Sequence, residues 1–398
     1  MVNPIGFGDV VVLNSPEEIA QVLTGDHEVL LAGESNARLL TSIDAPHSVA
    51  GLDGADHLRA RRLLSPALHG DSLNGYAELI RRAANADIDD WPVGRPFPLL
   101  PRMRAIGLEV ILDTVIGVRD GRRAQQFHLL LPKLLGASLY TLAAIGAYPK
   151  LASSWVGRHL PWTRVRNEVD LLIYEEISAH RADQFVRDDI LSLLIRTPDS
   201  SGRYPTDREL RDHLLTLLLA GYDTTATATT WCVERLVRHP EIMAKLRHAL
   251  QEQDSAYLDA VIYETLRVRP LFDFIARKLS SPFELAGFRL PAGTTIAPSI
   301  SGVQQSEVYG DPQEFRPERH LEKKPPPYAM IPFGGGPRRC IGASFALLEM
   351  QTILRVVLER TTLQAPDGRA ERPTHVRHTN KVPSRGGRVL VTEKRSSR

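Results

Sequence analysis

The residues with the clearest chemical potential lie together near the C-terminal end. Phe333-Gly-Gly-Gly-Pro-Arg-Arg-Cys340-Ile-Gly342 sets Cys340 in a glycine-rich loop directly before a helical run that begins near Ala343. Gly334, Gly335, Gly336 and Gly342 permit backbone conformations and close approaches that a Cβ would block, as needed where a flat group rests on the loop. A helix N-terminus and the adjacent Arg338 both favour a thiolate, and coordination to a metal would complete the deprotonation. The alternatives are a free cysteine in a glycine loop or a two-cysteine metal site, but zinc usually recruits four ligands and no C-x-x-C is present.

Three further constellations can carry chemistry. Glu264-Thr-Leu-Arg267 puts a carboxylate and a guanidinium three apart on one helix face, where they can pair; an isolated pair of this kind is usually a surface ion pair of little value. In Ala220-Gly-Tyr-Asp-Thr-Thr225, Gly221 weakens a helix that Thr224, Thr225, Thr227, Thr229 and Thr230 stiffen, and a local kink is expected there. Asp223 and Thr224 offer an acid beside a hydroxyl, an arrangement suited to passing protons. His57 and Arg61, four apart in Gly54-Ala-Asp-His57-Leu-Arg-Ala-Arg61-Arg62, share a helix face and can converge on an anion.

Together these segments resemble the cytochrome P450 haem-thiolate monooxygenases. Phe333, Gly336, Arg338, Cys340 and Gly342 fill each defined position of the family signature F-x-x-G-x-R-x-C-x-G. Glu264 and Arg267 resemble the family's E-x-x-R pair, and Arg319 in Phe315-Arg-Pro-Glu-Arg-His320 resembles the third member of that network, with His320 at the position that ends the segment. The run Ala220-Gly-Tyr-Asp-Thr-Thr225 is similar to the oxygen-activation segment A-G-x-D-T-T, and His57 with Arg61 to the H-x-x-x-R helix. The likeness extends from about residue 10 to the C-terminus.

The resemblance implies a mainly α fold with small peripheral β-sheets, in one domain over 1–398, with the family's first helix and edge strand missing before Val10. It implies haem b, its iron ligated by Cys340. Phe333, Gly336, Arg338 and Gly342 would line the cofactor from the loop, Ala220 and Gly221 from the long helix, and His57, Arg61, Arg277 and Arg338 would meet its propionates. Asp223 and Thr224 would relay protons during oxygen activation, while Glu264, Arg267 and Arg319 would anchor the cysteine loop. Substrate contacts would come from the loop before His57, the region Leu134–Tyr148, and Leu217, Phe272, Asp273 and Thr379, around a small, largely apolar organic molecule such as a lipid, terpenoid or secondary metabolite. O2 is the co-substrate. No nicotinamide or flavin segment is visible, so electrons are expected from a ferredoxin and its NAD(P)H-dependent reductase, docking on Arg59, Arg62 and Arg339. The scaffold also admits peroxide-driven oxygenation, oxidative coupling, or a non-catalytic haem sensor. One segment departs from the family: Val303-Gln-Gln-Ser306 stands where relatives tend to carry His and Arg, so its packing is expected to differ.

The elements that must hold these residues are mostly helical. Helical periodicity marks Pro16–Leu23, His57–Leu64, Asn74–Asp87, Arg102–Ile116, Arg164–Arg181, Asp207–Arg238, Pro240–Gln251, Ser255–Val268 and Ala343–Leu358. Val10–Leu13, Phe283–Leu290, Thr294–Pro298 and Arg388–Val391 read as short strands. The chain of 398 residues is 43% hydrophobic and 24% charged, an ordinary globular composition, and its net charge of +2 gives no global field to recruit nucleic acid or an anionic membrane. Its two cysteines, Cys232 and Cys340, make no disulfide framework. The longest uncharged stretch, Leu134–Pro149, is too short to span a bilayer. A cytoplasmic monomer with no membrane span is expected.

Overall fold

The computed structural model describes residues 10–70, 72–135, 161–183, 187–374 and 380–396. Its helices in chain order are α1 Pro16–Thr24, α2 Ala32–Ile43, α3 Gly54–Leu64, α4 Ser72–Asp89, α5 Leu100–Val115, α6 Gly121–Leu135, α7 Pro161–Ala182, α8 Ile190–Arg196, α9 Asp207–Arg238, α10 Pro240–Gln251, α11 Ala256–Val268, α12 Ile300–Gln304, α13 Arg319–Glu322 and α14 Ala343–Arg360. The strands are β1 Val10–Leu13, β2 Leu30–Leu31, β3 Phe97–Pro98, β4 Arg277–Leu279, β5 Phe283–Leu285, β6 Phe288–Leu290, β7 Thr295–Pro298, β8 Thr361–Gln364, β9 Pro373–Thr374, β10 Val382–Pro383 and β11 Arg388–Lys394. All nine helical segments expected from periodicity are present. Among those not foreseen, α6 carries Pro132 inside it and α8, at seven residues, is too short for a period to show.

The central element is α9. It starts in a capping box, with the Thr206 hydroxyl accepting from the Glu209 N–H and the Glu209 carboxylate accepting from the Thr206 N–H. It then runs unbroken for 32 residues, buried on most sides because α5, α7, α10, α11 and α14 pack around it. The expected kink at Gly221 does not interrupt it. A Cβ there would lie 2.5 Å from Ile111 Cδ1, so the glycine serves the close crossing of α5, and Gly107 on α5 repays the approach with a Cβ position 3.3 Å from the Tyr222 carbonyl. The threonine hydroxyls do bond backward, Thr224 to the Ala220 carbonyl at 2.6 Å, Thr229 to Thr225 and Thr230 to Ala226.

The sheets lie beside this helical mass. The largest has the order β1-β7-β4-β2, with β1 parallel to β7 and the other pairings antiparallel. With α1 it encloses a second apolar core of Leu13, Ile19, Val22, Leu23, Leu279, Ile296 and Ile331, separate from the main helical core. The run Phe283–Leu290, expected as one strand, is a hairpin of β5 and β6 turned by Ala286 (φ 52°) and Gly287 (φ 78°), the two left-handed residues that a tight hairpin favours. Among the described residues no helix is long and apolar enough to cross a membrane.

Candidate functional site

The cysteine loop is held from three directions. Cys340 N donates to the Phe333 carbonyl at 2.8 Å, closing the loop on itself, and Arg339 lies over the Phe333 ring. Gly334 and Gly336 both have positive φ, and a Cβ on Gly336 would sit 1.8 Å from the Leu23 carbonyl of α1. Packing on α1 therefore already requires glycine at 336. A Cβ on Gly342 meets nothing within 4 Å. Gln304 supplies the third anchor: its carboxamide donates to the Leu266 carbonyl and accepts from the Ile331 N–H, 2.9 and 3.0 Å, joining the end of α11 to the strand of chain entering the loop. The divergent Val303–Ser306 segment thus has its own fitted packing.

Beneath the loop lies the Glu264 network, assembled as expected and larger. Arg267 grips both Glu264 oxygens at 2.8 Å, Arg319 Nε donates at 3.0 Å, His320 Nε2 lies 2.9 Å away and the Arg316 N–H adds a fifth bond. Arg267 and Arg319 spend their remaining donors on carbonyls of Gln304, Pro312, Glu314, Tyr309 and Asp311. Burial alone would push the Glu264 carboxyl up, but the bonds from Arg267 and His320 and the Arg267 charge hold it down to about 2.

Cys340 itself presents accessible surface while burial pushes its thiol up from the ordinary range. Both observations hold if the sulfur sits on the wall of a deep cleft, open on one side and enclosed by protein on the others. The Gly342 N–H, Arg339 and Arg61 oppose that rise; Arg338 is not the stabilising neighbour that the sequence suggested. Without a metal the group is a thiol, and metal coordination is what would ionise it. The other cysteine, Cys232, is sealed in the core with its thiol pushed up to about 12.

Cations gather on the same side. His57 is buried, and its pKa is lowered to about 4 by burial and then by Arg338 and Arg61. Arg277 on β4 is also buried, lowered to about 10 by burial and Arg338, and it donates to the neighbouring Ala276 carbonyl. Arg61 donates to the Arg339 carbonyl at 2.6 Å. Arg338 is more occupied than expected: it bonds the Asp53 carboxylate and the carbonyls of Leu52 and Val49. Asp53, which sequence reasoning missed, also accepts from the N–H groups of Ala32, Gly33 and Glu34 at the start of α2. The guanidiniums of Arg61, Arg277 and Arg338 gather around one carboxylate, with His57 held neutral beside them, so the site is short of anions. A haem with its thiolate ligand from Cys340 and its two propionates among His57, Arg61 and Arg277 fits this donor set.

On α9, Ala220 is exposed and Thr224 is half-buried on the same face, as a cofactor-facing surface requires, whereas Gly221 turns towards α5. Asp223 is drawn to Arg104 on α5, its Oδ1 2.5 Å from Nε. Two residues unseen in the sequence reading hold this region. Asn380, buried, donates to Thr227 Oγ1 at 3.0 Å and reaches the Asp223 carbonyl at 3.4 Å. Glu349 on α14 is buried beside Thr225, its carboxyl pushed up to about 8 by burial.

The expected substrate residues divide. Leu217 is buried within the main core, and Phe272 packs against the second core. Asp273 is a tie instead: its carboxylate takes the Ser301 hydroxyl at 2.7 Å and the Lys381 ammonium, and so joins the chain before β10 to α12. Thr379 and most of Leu134–Tyr148 lie outside the described residues. Of the expected docking arginines, Arg59 is paired with Asp56 (2.7 Å) and Asp199 (3.6 Å). Arg339 is exposed, and Arg62 borders, with Leu58, Arg61, Ser65, Pro66 and His69, a surface recess of about 600 Å³.

Comparison with known proteins gives one consistent family. The sequence profile described as Cytochrome P450 matches residues 4–386. Cytochrome P450 135B1 of Mycobacterium tuberculosis is 41% identical over 401 residues, covering 97% of this chain and 83% of that protein. Cytochrome P450 137 of the same organism is 37% identical over 395 residues, with 97% and 81% covered. Among solved structures, the retinoic acid-bound cyanobacterial CYP120A1 superposes with a TM-score of 0.85 at 23% identity, covering 97% of this chain and 90% of that one. The haem domain of cytochrome P450DA gives 0.82 at 19% identity, with 97% and 88% covered.

Proposed function

Because this chain belongs to the cytochrome P450 family, haem-thiolate monooxygenases whose cofactor is haem b, we propose that it inserts one atom of O2 into a small, largely apolar organic molecule. The observation that carries this reading is Cys340, whose thiol keeps accessible surface although burial raises its pKa, with an anion-deficient cluster of His57, Arg61 and Arg277 on the same side. The bound haem supplies the redox chemistry that cleaves O2 and oxidises a C–H bond. The protein residues do the rest. Cys340 would ligate the iron, Phe333 and Gly342 would line the cofactor from the loop, and Arg61 and Arg277 would neutralise the propionates, while Arg338 ties the loop to Asp53. Ala220 leaves room over the cofactor, and Leu217 and Phe272 contribute apolar surface around the substrate pocket.

Asp223 and Thr224 form the proton relay. The Thr224 hydroxyl, bonded back to the Ala220 carbonyl, lies on the exposed face of α9, and Asp223 one residue earlier has access to solvent through its partner on α5. This pairing favours the O2-dependent route over a peroxide-driven one. Electrons come from a ferredoxin and its reductase, docking in the cytoplasm on the basic surface of Arg62 and Arg339, with Arg59 drawn to Asp56 and Asp199 at its margin, on a monomer folded as one unit. The test is to screen apolar ligands by their displacement of iron-bound water in the haem absorption spectrum, then to follow NADH oxidation with a ferredoxin pair. Oxygenated product formed from O2 supports the reading, and product formed only with added peroxide overturns it.

A further inference from the structure

A groove of about 940 Å³ opens on the flank of the molecule between α4, α5 and α6, with Tyr222 of α9 among its lining residues. Its walls carry Asp87, Glu109, Asp113 and His128, and also Arg104. Burial pushes the Asp87 and Asp113 carboxyls up, so both hold protons more readily than surface carboxylates, while Glu109 pairs with His128 at 3.1 Å. The groove is polar, titratable and wide enough for water. Nothing in the function above uses it.

Arg104 connects this groove to the relay. It lines the groove, and its Nε donates to Asp223 Oδ1 at 2.5 Å, with both side chains retaining some contact with solvent at 21% and 15% exposure. Successive residues on a helix are about 100° apart, so Asp223 stands between the face of α9 that bears Tyr222, turned to the groove, and the face that bears Thr224 and Ala220. The pair forms at the tight crossing that Gly107 and Gly221 allow, which fixes the height of Arg104 against Asp223.

We propose that Arg104 is a positioning residue for the proton relay, holding the Asp223 carboxylate towards the groove between α4, α5 and α6 so that the relay is loaded with protons from groove water. The proposal rests on the reading of Asp223 and Thr224 as that relay. A proton from a hydronium ion in the groove adds to an Asp223 oxygen, which neutralises the carboxylate and frees it from a guanidinium that keeps its own charge. The carboxyl O–H then turns towards the Thr224 hydroxyl, gives up its proton on that side and returns to Arg104 as a carboxylate. One proton enters and one leaves, with no change of oxidation state.

The test uses the haem-loaded protein with a plant-type ferredoxin, its reductase and NADH, and reads the fraction of consumed O2 recovered as hydrogen peroxide. Arg104→Gln is expected to raise that fraction on the order of tenfold, less than the roughly hundredfold or more that a positioned acid itself contributes. Arg104→Lys, which keeps the charge, should restore most of the loss. Ala105→Trp fills the groove from its exposed wall without touching Asp223, and should raise the solvent isotope effect on oxygen uptake while the thermal midpoint stays put. A readout apart from turnover is the Arg104 Nε–H resonance in the diamagnetic ferrous carbon monoxide complex, identified by its loss in Arg104→Lys. Its exchange with solvent should be slow, and faster by about tenfold or more in Asp223→Asn, as expected for a charge-assisted bond. Wild-type peroxide and isotope values in Arg104→Gln and Ala105→Trp, alongside a raised peroxide fraction in Thr224→Ala, would overturn the role of Arg104 and leave the relay standing. Wild-type values in Thr224→Ala as well would remove the relay reading and the inference with it.

Discussion

Glu264 on α11 and Glu349 on α14 are both shut off from solvent, at 0% and 2% exposure, yet their carboxyls move in opposite directions, down to about 2 and up to about 8. The difference is in what surrounds them. Glu264 lies where the chain must hold an irregular glycine loop in place, and two arginines, a histidine and a backbone N–H supply enough donors to keep it ionised despite burial. Glu349 lies at the crossing of α5, α9 and α14, where Gly107 and Thr225 are its neighbours and, among the described residues, no arginine pairs with it. Desolvation wins there and the neutral acid is the favoured form. The surroundings of Glu264 are therefore a charged scaffold, whereas Glu349 sits in a low-dielectric pocket where a carboxylate without a cation beside it is out of place; at the same crossing the Asp223 carboxylate is paired with Arg104.

The comparison breaks most visibly at Glu264. Because its folded pKa lies below the ordinary 4.5, its contribution is present above pH 4.5 and is lost as pH falls towards 2. Glu264→Gln leaves Arg267 and Arg319 buried without their counter-charge, a change expected to cost about 3–5 kcal/mol at pH 7. Denaturant unfolding should show it, together with poor haem retention.

Glu349 has the opposite sign. Its stability contribution is complete below pH 4.5 and is lost as pH rises towards 8, because folding then forces a proton onto a group that would ionise in the unfolded chain. Glu349→Gln removes that penalty, so stability at pH 8 should rise by roughly 4 kcal/mol relative to wild type and be little changed at pH 4. Unfolding curves at the two pH values decide it, and equal shifts at both would mean that Glu349 is ionised in the fold.

Two smaller changes sharpen the contrast. Gly336→Ala places a methyl group against the Leu23 carbonyl and strains a backbone at φ 61°, so the loop should lift from α1 at a cost of about 1–3 kcal/mol. Its marker is faster haem loss at unchanged secondary structure. Asp273→Asn has the smallest expected effect: the pair with Lys381 is partly exposed, and stability should move by no more than about 0.5 kcal/mol, with ligand affinity unchanged. Loss of affinity would return Asp273 to the substrate pocket.

The loop and the networks beneath it were legible because their residue types and spacing are unusual: a cysteine among glycines, a carboxylate three residues before an arginine, a histidine four residues before another. The long helix was legible through its period and its Thr206–Glu209 start. What the sequence hid is long-range. Arg104 lies 119 positions from Asp223, and Asn380 lies 153 from Thr227; nothing local marks either as a partner. Gly336 has the left-handed backbone and close approach expected of a loop glycine, but neither that its neighbour is α1 nor that Gly221 makes room for α5 could be read locally. Arg338 was read as a propionate ligand from its place in the loop, and its bond to the Asp53 carboxylate, 285 residues away, had no local signal.

The central claim is the bond between the Cys340 sulfur and haem iron, and the absorption spectrum of the reduced protein under carbon monoxide tests it most directly. Wild-type protein should show the long-wavelength Soret band of thiolate ligation, and a Cys340→His variant that retains haem should show the shorter-wavelength band of a nitrogen ligand. A freshly reduced, native wild-type protein without the long-wavelength band, or a variant that keeps it, would contradict the account.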